Sequence, residues 1–168
     1  MLTSIIKTRE KEVIKILAPL AGEVIPITQV NDPIFSEEML GKGVAIRPSG
    51  EQVVSPINGT VTQMFETGHA VSVQSSDNSA EVLIHVGLET MRLKSEYFKP
   101  RVKDSDKISV GDVLFEFDST GIIAAGFDTV TPVIICNSDN FENIEILTGK
   151  RVNEGDEIIV LTKKRGMT

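Results

Sequence analysis

The sequence predicts an all-β fold, an antiparallel β-sandwich or barrel with a duplicated hairpin motif and short helical turns. Three observations predict it. Short β-branched or alternating segments recur along the chain, most of them bounded by Gly, Pro, Asn or Asp. Aromatic residues are scarce, with seven Phe, one Tyr and no Trp, so Val, Ile and Leu must fill the core, and these favour strands. Two motifs also occur twice. Ala18-Pro19-Leu20-Ala21-Gly22-Glu23-Val24 echoes Ser55-Pro56-Ile57-Asn58-Gly59-Thr60-Val61, and Ile108-Ser109-Val110-Gly111-Asp112 is echoed by Val152-Asn153-Glu154-Gly155-Asp156. In each, Pro and Gly punctuate a turn that leads into a strand.

In chain order the expected strands are Ile14–Leu17, Glu23–Thr28, Gly43–Pro48, Thr60–Phe65, Ala70–Gln74, Glu81–Val86, Val113–Phe117, Val130–Cys136 and Ile158–Lys163. Helix is expected in two places. Ser119–Ala125 makes a turn or two ended by Gly126, and Asp139 with Glu142 resembles a capping box. Behind that box Phe141, Ile144 and Leu147 form a helical stripe. No low-complexity stretch or linker divides the chain, which is taken as a single domain over 1–168. Residues 1–13 are an N-terminal extension and 14–164 the β-sandwich core.

Composition excludes several classes. At 40% apolar and 24% charged, the chain falls in the globular range. Its net charge of −7 argues against nucleic acid and favours a basic protein partner. No segment approaches the ~18 apolar residues of a membrane span. Charged residues over Lys7–Glu12 break any signal peptide, and Met1–Lys7 is expected to be a frayed terminus rather than a membrane-surface anchor. The single cysteine, Cys136, forms no internal disulfide, is expected to be a buried strand residue, and fits a reducing compartment. The expectation is a cytoplasmic monomer. Glu37-Glu38 and the Lys163-Lys164-Arg165 tail are expected to be solvated faces.

The chemistry concentrates on two histidines. Ala70–Gln74 and Glu81–Val86 flank the polar run Ser75-Ser76-Asp77-Asn78-Ser79, which suits a hairpin loop. With that run as the loop, Gln74 faces Ala80 and His69 lies directly opposite His85, with Cβ atoms ~4.5–5.5 Å apart. A loop shorter by one residue would put the imidazoles on opposite faces. A neutral imidazole is a nucleophile at neutral pH, and a second one can donate to the oxygen charge that develops on a transferred phosphoryl group. Backbone N–H groups beside Gly87 could assist, since glycine lets a phosphate come close. The Thr67 hydroxyl could fix the His69 tautomer. The alternatives are a structural cross-strand pair, or half of a zinc site completed by a partner carboxylate. The phosphoryl chemistry itself requires no metal or cofactor, and the sequence has no Gly-rich nucleotide loop.

Five segments carry a resemblance: Ala18–Gly22, Ser55–Thr60, Phe65-Glu66-Thr67-Gly68-His69-Ala70, Leu83-Ile84-His85-Val86-Gly87-Leu88-Glu89-Thr90 and Thr131-Pro132-Val133. Their order and spacing resemble the glucose-type IIA proteins of the bacterial phosphoenolpyruvate:sugar phosphotransferase system, from about Ile16 to Lys164. The resemblance implies that His85, in H-x-G-x-[DE]-T, is the phosphorylated residue. It also implies that His69, in E-T-x-H-A, stabilises the phosphate and that Thr67 is its hydrogen-bond partner. A histidine-containing phosphocarrier protein would be the donor, a cysteine of a sugar-specific IIB domain the acceptor, and no sugar would bind directly. The implied docking face is Ile34, Phe35, Leu40, Phe65, Leu83 and Met91, rimmed by Asp32 and Glu89. Glu89 stands where many members have Asp, and Leu83 where some have Phe. The chain is expected to act in trans or as a domain of a longer protein. A regulatory module that signals through the phosphorylation state of His85 would use the same face. A zinc peptidase or a biotinyl or lipoyl carrier would need histidine or lysine patterns that this sequence lacks.

Overall fold

The computed structural model describes residues 11–165, so the expectation for Met1–Lys7 lies outside the described residues. Among the described residues fourteen strands form: β1 (Val13–Leu17), β2 (Gly22–Pro26), β3 (Lys42–Pro48), β4 (Gln52–Val54), β5 (Gly59–Met64), β6 (Ala70–Ser75), β7 (Glu81–His85), β8 (Phe98–Pro100), β9 (Lys107–Ile108), β10 (Val113–Phe117), β11 (Thr131–Ile135), β12 (Phe141–Ile146), β13 (Arg151–Val152) and β14 (Glu157–Lys163). Two short α-helices accompany them among the described residues, α1 (Pro33–Ser36) and α2 (Ser119–Ala124). An eight-stranded sheet runs β13-β2-β3-β11-β7-β6-β5-β9, and two three-stranded sheets run β1-β14-β12 and β4-β10-β8. The antiparallel, mostly β architecture is as expected.

Duplication organises these sheets. Strands β4 to β10 form one contiguous copy. The other copy is split around it, so that β1-β2-β3 and β11 to β14 repeat β4-β5-β6 and β7 to β10. The two echoed motifs lock each copy in the same way. Ala18 N–H donates to the Asp156 carbonyl at 2.7 Å and Gly155 N–H to the Ala18 carbonyl at 3.0 Å; Ser55 N–H donates to Asp112 at 2.8 Å and Gly111 N–H to Ser55 at 3.0 Å. Cross-links join the copies, Leu17 N–H to Pro56 O at 3.1 Å and Val54 N–H to Pro19 O at 2.7 Å. The motif glycines are required by close approach: a Cβ on Gly22 would lie 2.1 Å from the Arg47 carbonyl oxygen, and one on Gly59 1.8 Å from that of Gln74.

The large sheet is apolar on both faces. One face, with Val44, Ile46, Val71, Val73, Val82, Ile84 and Val133, packs on Leu114, Phe115, Ile159 and Leu161 to make the main core. The other face carries a smaller cluster of Ile25, Ile27, Val30, Phe35, Ala45, Ala70, Leu83, Val130 and Ile134. Alternation along β7 sends Ile84 to the core and Leu83 to the smaller cluster.

Several expectations need correction. The 139–147 segment is not helical: Ser138–Asn140 is a single 3-10 turn and Phe141–Ile146 is strand β12, paired with β14. A register shift between Phe141 and Asn143 adds one residue, so a period-2 strand presents its apolar residues at a helix-like spacing. Strand β11 ends at Ile135, and Cys136 beyond it is exposed rather than buried. Lys163 is buried at 7% exposure, not solvated.

Asp77 explains the position of Lys163. Its Oδ2 accepts from the Lys163 ammonium at 2.5 Å, and Glu12 receives a second Lys163 bond at 3.0 Å. Asp77 Oδ1 accepts from Ser75 Oγ at 2.7 Å, Ser79 Oγ at 2.5 Å and Ser79 N at 3.0 Å. One carboxylate thus closes the β6–β7 loop and anchors it to β14. Burial pushes this carboxyl up, but the bonds from Lys163, Ser79 and Ser75 together hold it well below the usual carboxylate range. A depressed folded value means that this contribution is present above the unfolded pKa of ~3.9 and is lost as pH falls further. Asp77→Asn should therefore destabilise the protein at pH 7 by about 1 kcal/mol, a low figure because the side chain is partly exposed. Urea unfolding should show this difference, and the gap should narrow below pH ~3.

Candidate functional site

The β6–β7 hairpin carries both histidines, in a register one residue away from expectation. Ser75 N–H donates to the Ala80 carbonyl at 2.9 Å, so Ser75 belongs to the strand and the loop is Ser76–Ser79. His85 therefore pairs with Ala70, not with His69. The rings nevertheless meet, with centroids 4.7 Å apart and planes at 80°. Simple alternation does not govern His69, because it precedes the first residue of β6. It follows a tight turn in which Gly68, at φ +82°, donates to the Phe65 carbonyl at 2.8 Å. Val86 N–H then ties the two positions together by donating to the His69 carbonyl at 2.8 Å.

The smaller apolar cluster forms the floor of the site. Phe35 stands 5.2 Å from the His85 ring, and Phe65 and Phe98 lie edge-on to His69 at 5.5 and 6.3 Å. Both histidines are buried, at 5% and 7% exposure. Burial, with the neighbouring His85 second, lowers the His69 pKa to about 4. Burial also lowers that of His85, against the opposing pull of the Gly87 carbonyl and the Asp32 carboxylate. Both rings are neutral at pH 7.

The His85 tautomer follows from one contact. Its Nδ1 lies 2.8 Å from the Gly87 carbonyl oxygen. A carbonyl only accepts, so Nδ1 carries the proton and Nε2 keeps its lone pair. His69 differs, since its Nδ1 is buried without a hydrogen-bond partner. The expected Thr67 contact is therefore not made in this structure, although Thr67 stands at the turn just before His69 and is half-buried.

By exposure the expected docking residues separate into two groups. Ile34, Leu40 and Met91 are exposed, at 39%, 37% and 52%, whereas Phe35 and Leu83 are buried beneath the rings and Phe65 is intermediate. Met39, which the sequence reading did not name, is the most exposed large apolar residue described. Phe98 was also missed, because Phe98–Pro100 is too short a strand to show periodicity. Asp32 caps α1 by accepting from Ile34 N–H at 3.1 Å. Glu89 is exposed and pairs with Arg92 at 3.9 Å. Among the described residues no three His, Cys, Asp or Glu side chains gather so as to hold a metal ion, and no helix is long and apolar enough to cross a membrane.

Known proteins resemble this chain in sequence and fold. A family model described as phosphoenolpyruvate-dependent sugar phosphotransferase system, EIIA 1, matches residues 14–141. A PTS system glucose-specific EIIA component from Oceanobacillus iheyensis is 41% identical over 92% of this chain and 93% of its own length. A PTS system beta-glucoside-specific EIIBCA component from Dickeya chrysanthemi is 44% identical over 82% of this chain, which spans 22% of that protein. The solved glucose permease IIA of Mycoplasma capricolum superposes with a TM-score of 0.81 at 29% identity, covering 89% of this chain and 96% of that one.

The lowered pKa values give a sign for pH dependence. As pH falls below ~6.5 the unfolded chain takes up protons that the folded histidines refuse, so stability declines from there towards pH 4. In a nuclear magnetic resonance titration the His69 ring signals should stay level from pH 8 to 6 and move with a midpoint near 4. A midpoint at the ordinary value would mean that the apolar floor does not desolvate the ring.

Proposed function

We propose, because the chain belongs to the phosphoenolpyruvate-dependent sugar phosphotransferase system EIIA 1 family, that it is a phosphocarrier whose phosphoryl group rides on Nε2 of His85. The observation that carries this reading is the Nδ1–Gly87 hydrogen bond, which leaves Nε2 as a neutral nucleophile beside a second imidazole. The Nε2 lone pair attacks the phosphorus of a phosphohistidine on a donor protein. A new N–P bond forms as the donor's N–P bond breaks, and the donor ring keeps that electron pair. In onward transfer a cysteine thiolate of a IIB unit attacks the same phosphorus, and the His85 N–P electron pair returns to Nε2.

His69 serves as the donor to phosphoryl oxygen. With Nδ1 sealed in the protein, Nε2 is the nitrogen left to face the group on His85, and as N–H it meets charge that develops in the transition state. Thr67, half-buried two residues before His69, is the hydroxyl proposed for that ring, although no bond to its sealed nitrogen is made in this structure. The expected backbone contribution beside Gly87 is corrected by its hydrogen bonds: the N–H groups of Val86, Gly87 and Leu88 already donate to His69, Val130 and Asp128, so none of the three is free for a phosphate.

Partners follow from the rim. Ile34, Leu40 and Met91, joined by Met39, offer apolar contact, with the acidic Asp32 and Glu89 at its edge and a chain charge of −7. This supports a basic histidine-containing phosphocarrier as donor, steered by charge. The beta-glucoside relative is named an EIIBCA component, which supports a B-type unit as acceptor. The working setting is the cytoplasm, with the chain as a monomer and no sugar or nucleic acid bound.

Incubation with phosphoenolpyruvate and the general phosphotransferase proteins should label wild type on His85 with acid-labile phosphate. His85→Ala should take up none, and full labelling of that variant would remove His85 from the role. His69→Gln should accept phosphate but pass it to a IIB domain at least ~10²-fold more slowly, as expected on losing a transition-state donor. Equal onward rates would take His69 out of the mechanism.

A further inference from the structure

Behind His85 lies a side chain that the phosphoryl chemistry leaves unused. Thr90 is fully buried, at 0% exposure. Its Oγ1–H donates to the Val86 carbonyl at 2.5 Å. Val86 is also the residue whose N–H holds the His69 carbonyl, at 2.8 Å. One residue thus joins the backbones of both histidines, and Thr90 grips its other end.

The methyl of Thr90 shapes the same turn. Gly87 has φ +84°, and a Cβ there would lie 2.4 Å from Thr90 Cγ2 and 2.7 Å from the Asp128 carbonyl oxygen. The Gly87 backbone therefore rests directly on the threonine. Gly87 N–H donates to Val130 O at 3.0 Å and Leu88 N–H to Asp128 O at 3.1 Å, which fixes the outer side of the turn. Glu89 takes φ 57°, a left-handed geometry rare outside glycine, so the turn has little intrinsic preference for this shape. The direction of the Gly87 carbonyl, and with it the proton on His85 Nδ1, is set by these contacts.

We propose that Thr90 is a positioning residue: through its hydroxyl bond to Val86 and its packing under Gly87 it holds the Gly87 carbonyl on His85 Nδ1, and so keeps Nε2 deprotonated. This rests on the phosphocarrier reading for its consequence, but not for its geometry. Without the hydroxyl, the buried Val86 carbonyl loses its partner and the turn relaxes. The His85 ring is then free to take either tautomer, and the Nε2–H form has no lone pair where phosphorus must arrive.

The test compares wild type, Thr90→Val and Thr90→Ser. Ring ¹⁵N shifts read the His85 tautomer on the isolated protein at pH 7, and phosphoenolpyruvate-driven labelling reads acceptance. Wild type should be Nδ1–H. Thr90→Val should show a rising Nε2–H population and accept phosphate about tenfold more slowly, as expected for a displaced reacting group. Thr90→Ser should restore the tautomer and most of the rate. Should Thr90→Val not fold, Thr90→Ala removes the same donor without filling the space. A donorless variant with the wild-type tautomer overturns the inference, even if its rate falls. A folded Thr90→Ser that loses the tautomer overturns the part given to the hydroxyl and leaves the hold with the methyl under Gly87 alone. Failure of wild type to accept phosphate would instead sink the phosphocarrier reading, and leave the tautomer result standing on its own.

Discussion

The hydrogen bond from His85 Nδ1 to the Gly87 carbonyl is the contact on which the site depends. An imidazole has two nitrogens of similar basicity, and only a fixed partner on one decides which of them stays free. Here the partner is a main-chain oxygen two residues further on, so the choice is built into the shape of the turn rather than into a remote side chain. That turn needs a glycine at φ +84°, two anchors on 128 and 130, and a threonine beneath it. The nucleophile is thus prepared by the chain segment that carries it.

Neutrality is the second requirement, and it comes from the apolar floor. Placing two imidazoles 4.7 Å apart would in water still let either one protonate. Phe35, Phe65 and Phe98 around them remove water, and burial is the largest cause of the lowered value at each ring. A cation on one ring would disfavour a second on its neighbour, and a protonated His85 would hold no lone pair for phosphorus. The buried, unpartnered Nδ1 of His69 is a cost that the fold carries at this place, and such costs concentrate where chemistry is done.

Much of this was legible in the sequence, and the failures have identifiable causes. Nine of the ten described strands of five or more residues announced themselves by alternation or β-branched runs, and both echoed motifs form the paired turns their Pro and Gly imply. Strands of two or three residues, such as Lys107–Ile108 and Arg151–Val152, are too short to carry a period and exist through their neighbours. The bulge in β12 imitated a helix. The hairpin was misjudged by one residue because Ser75 is polar yet buried in the strand, its hydroxyl tied to Asp77. That error should have separated the histidines. They stay together because Gly68 ends the strand pattern just before His69, and no count of residues across a loop can reveal such a departure.

Duplication explains why the chemistry sits where it does. The contiguous copy contributes the hairpin with both histidines, and its β7 pairs with β11 of the split copy at the middle of the large sheet. The split copy has no histidine of its own, and the counterpart strands β3 and β11 present Ala45 and Ile134 on the same face. Ile25, Ile27, Phe35 and Val130 join them, so most of the floor beneath the reactive pair belongs to the copy that lacks it. One half of the repeat supplies nucleophile, donor and the flanking rings of Phe65 and Phe98, and the other supplies most of the apolar floor beneath them. Neither half alone would hold two neutral imidazoles in contact. The cross-links between Leu17 and Pro56 and between Val54 and Pro19, distant from the site, therefore support it by keeping the two copies in register.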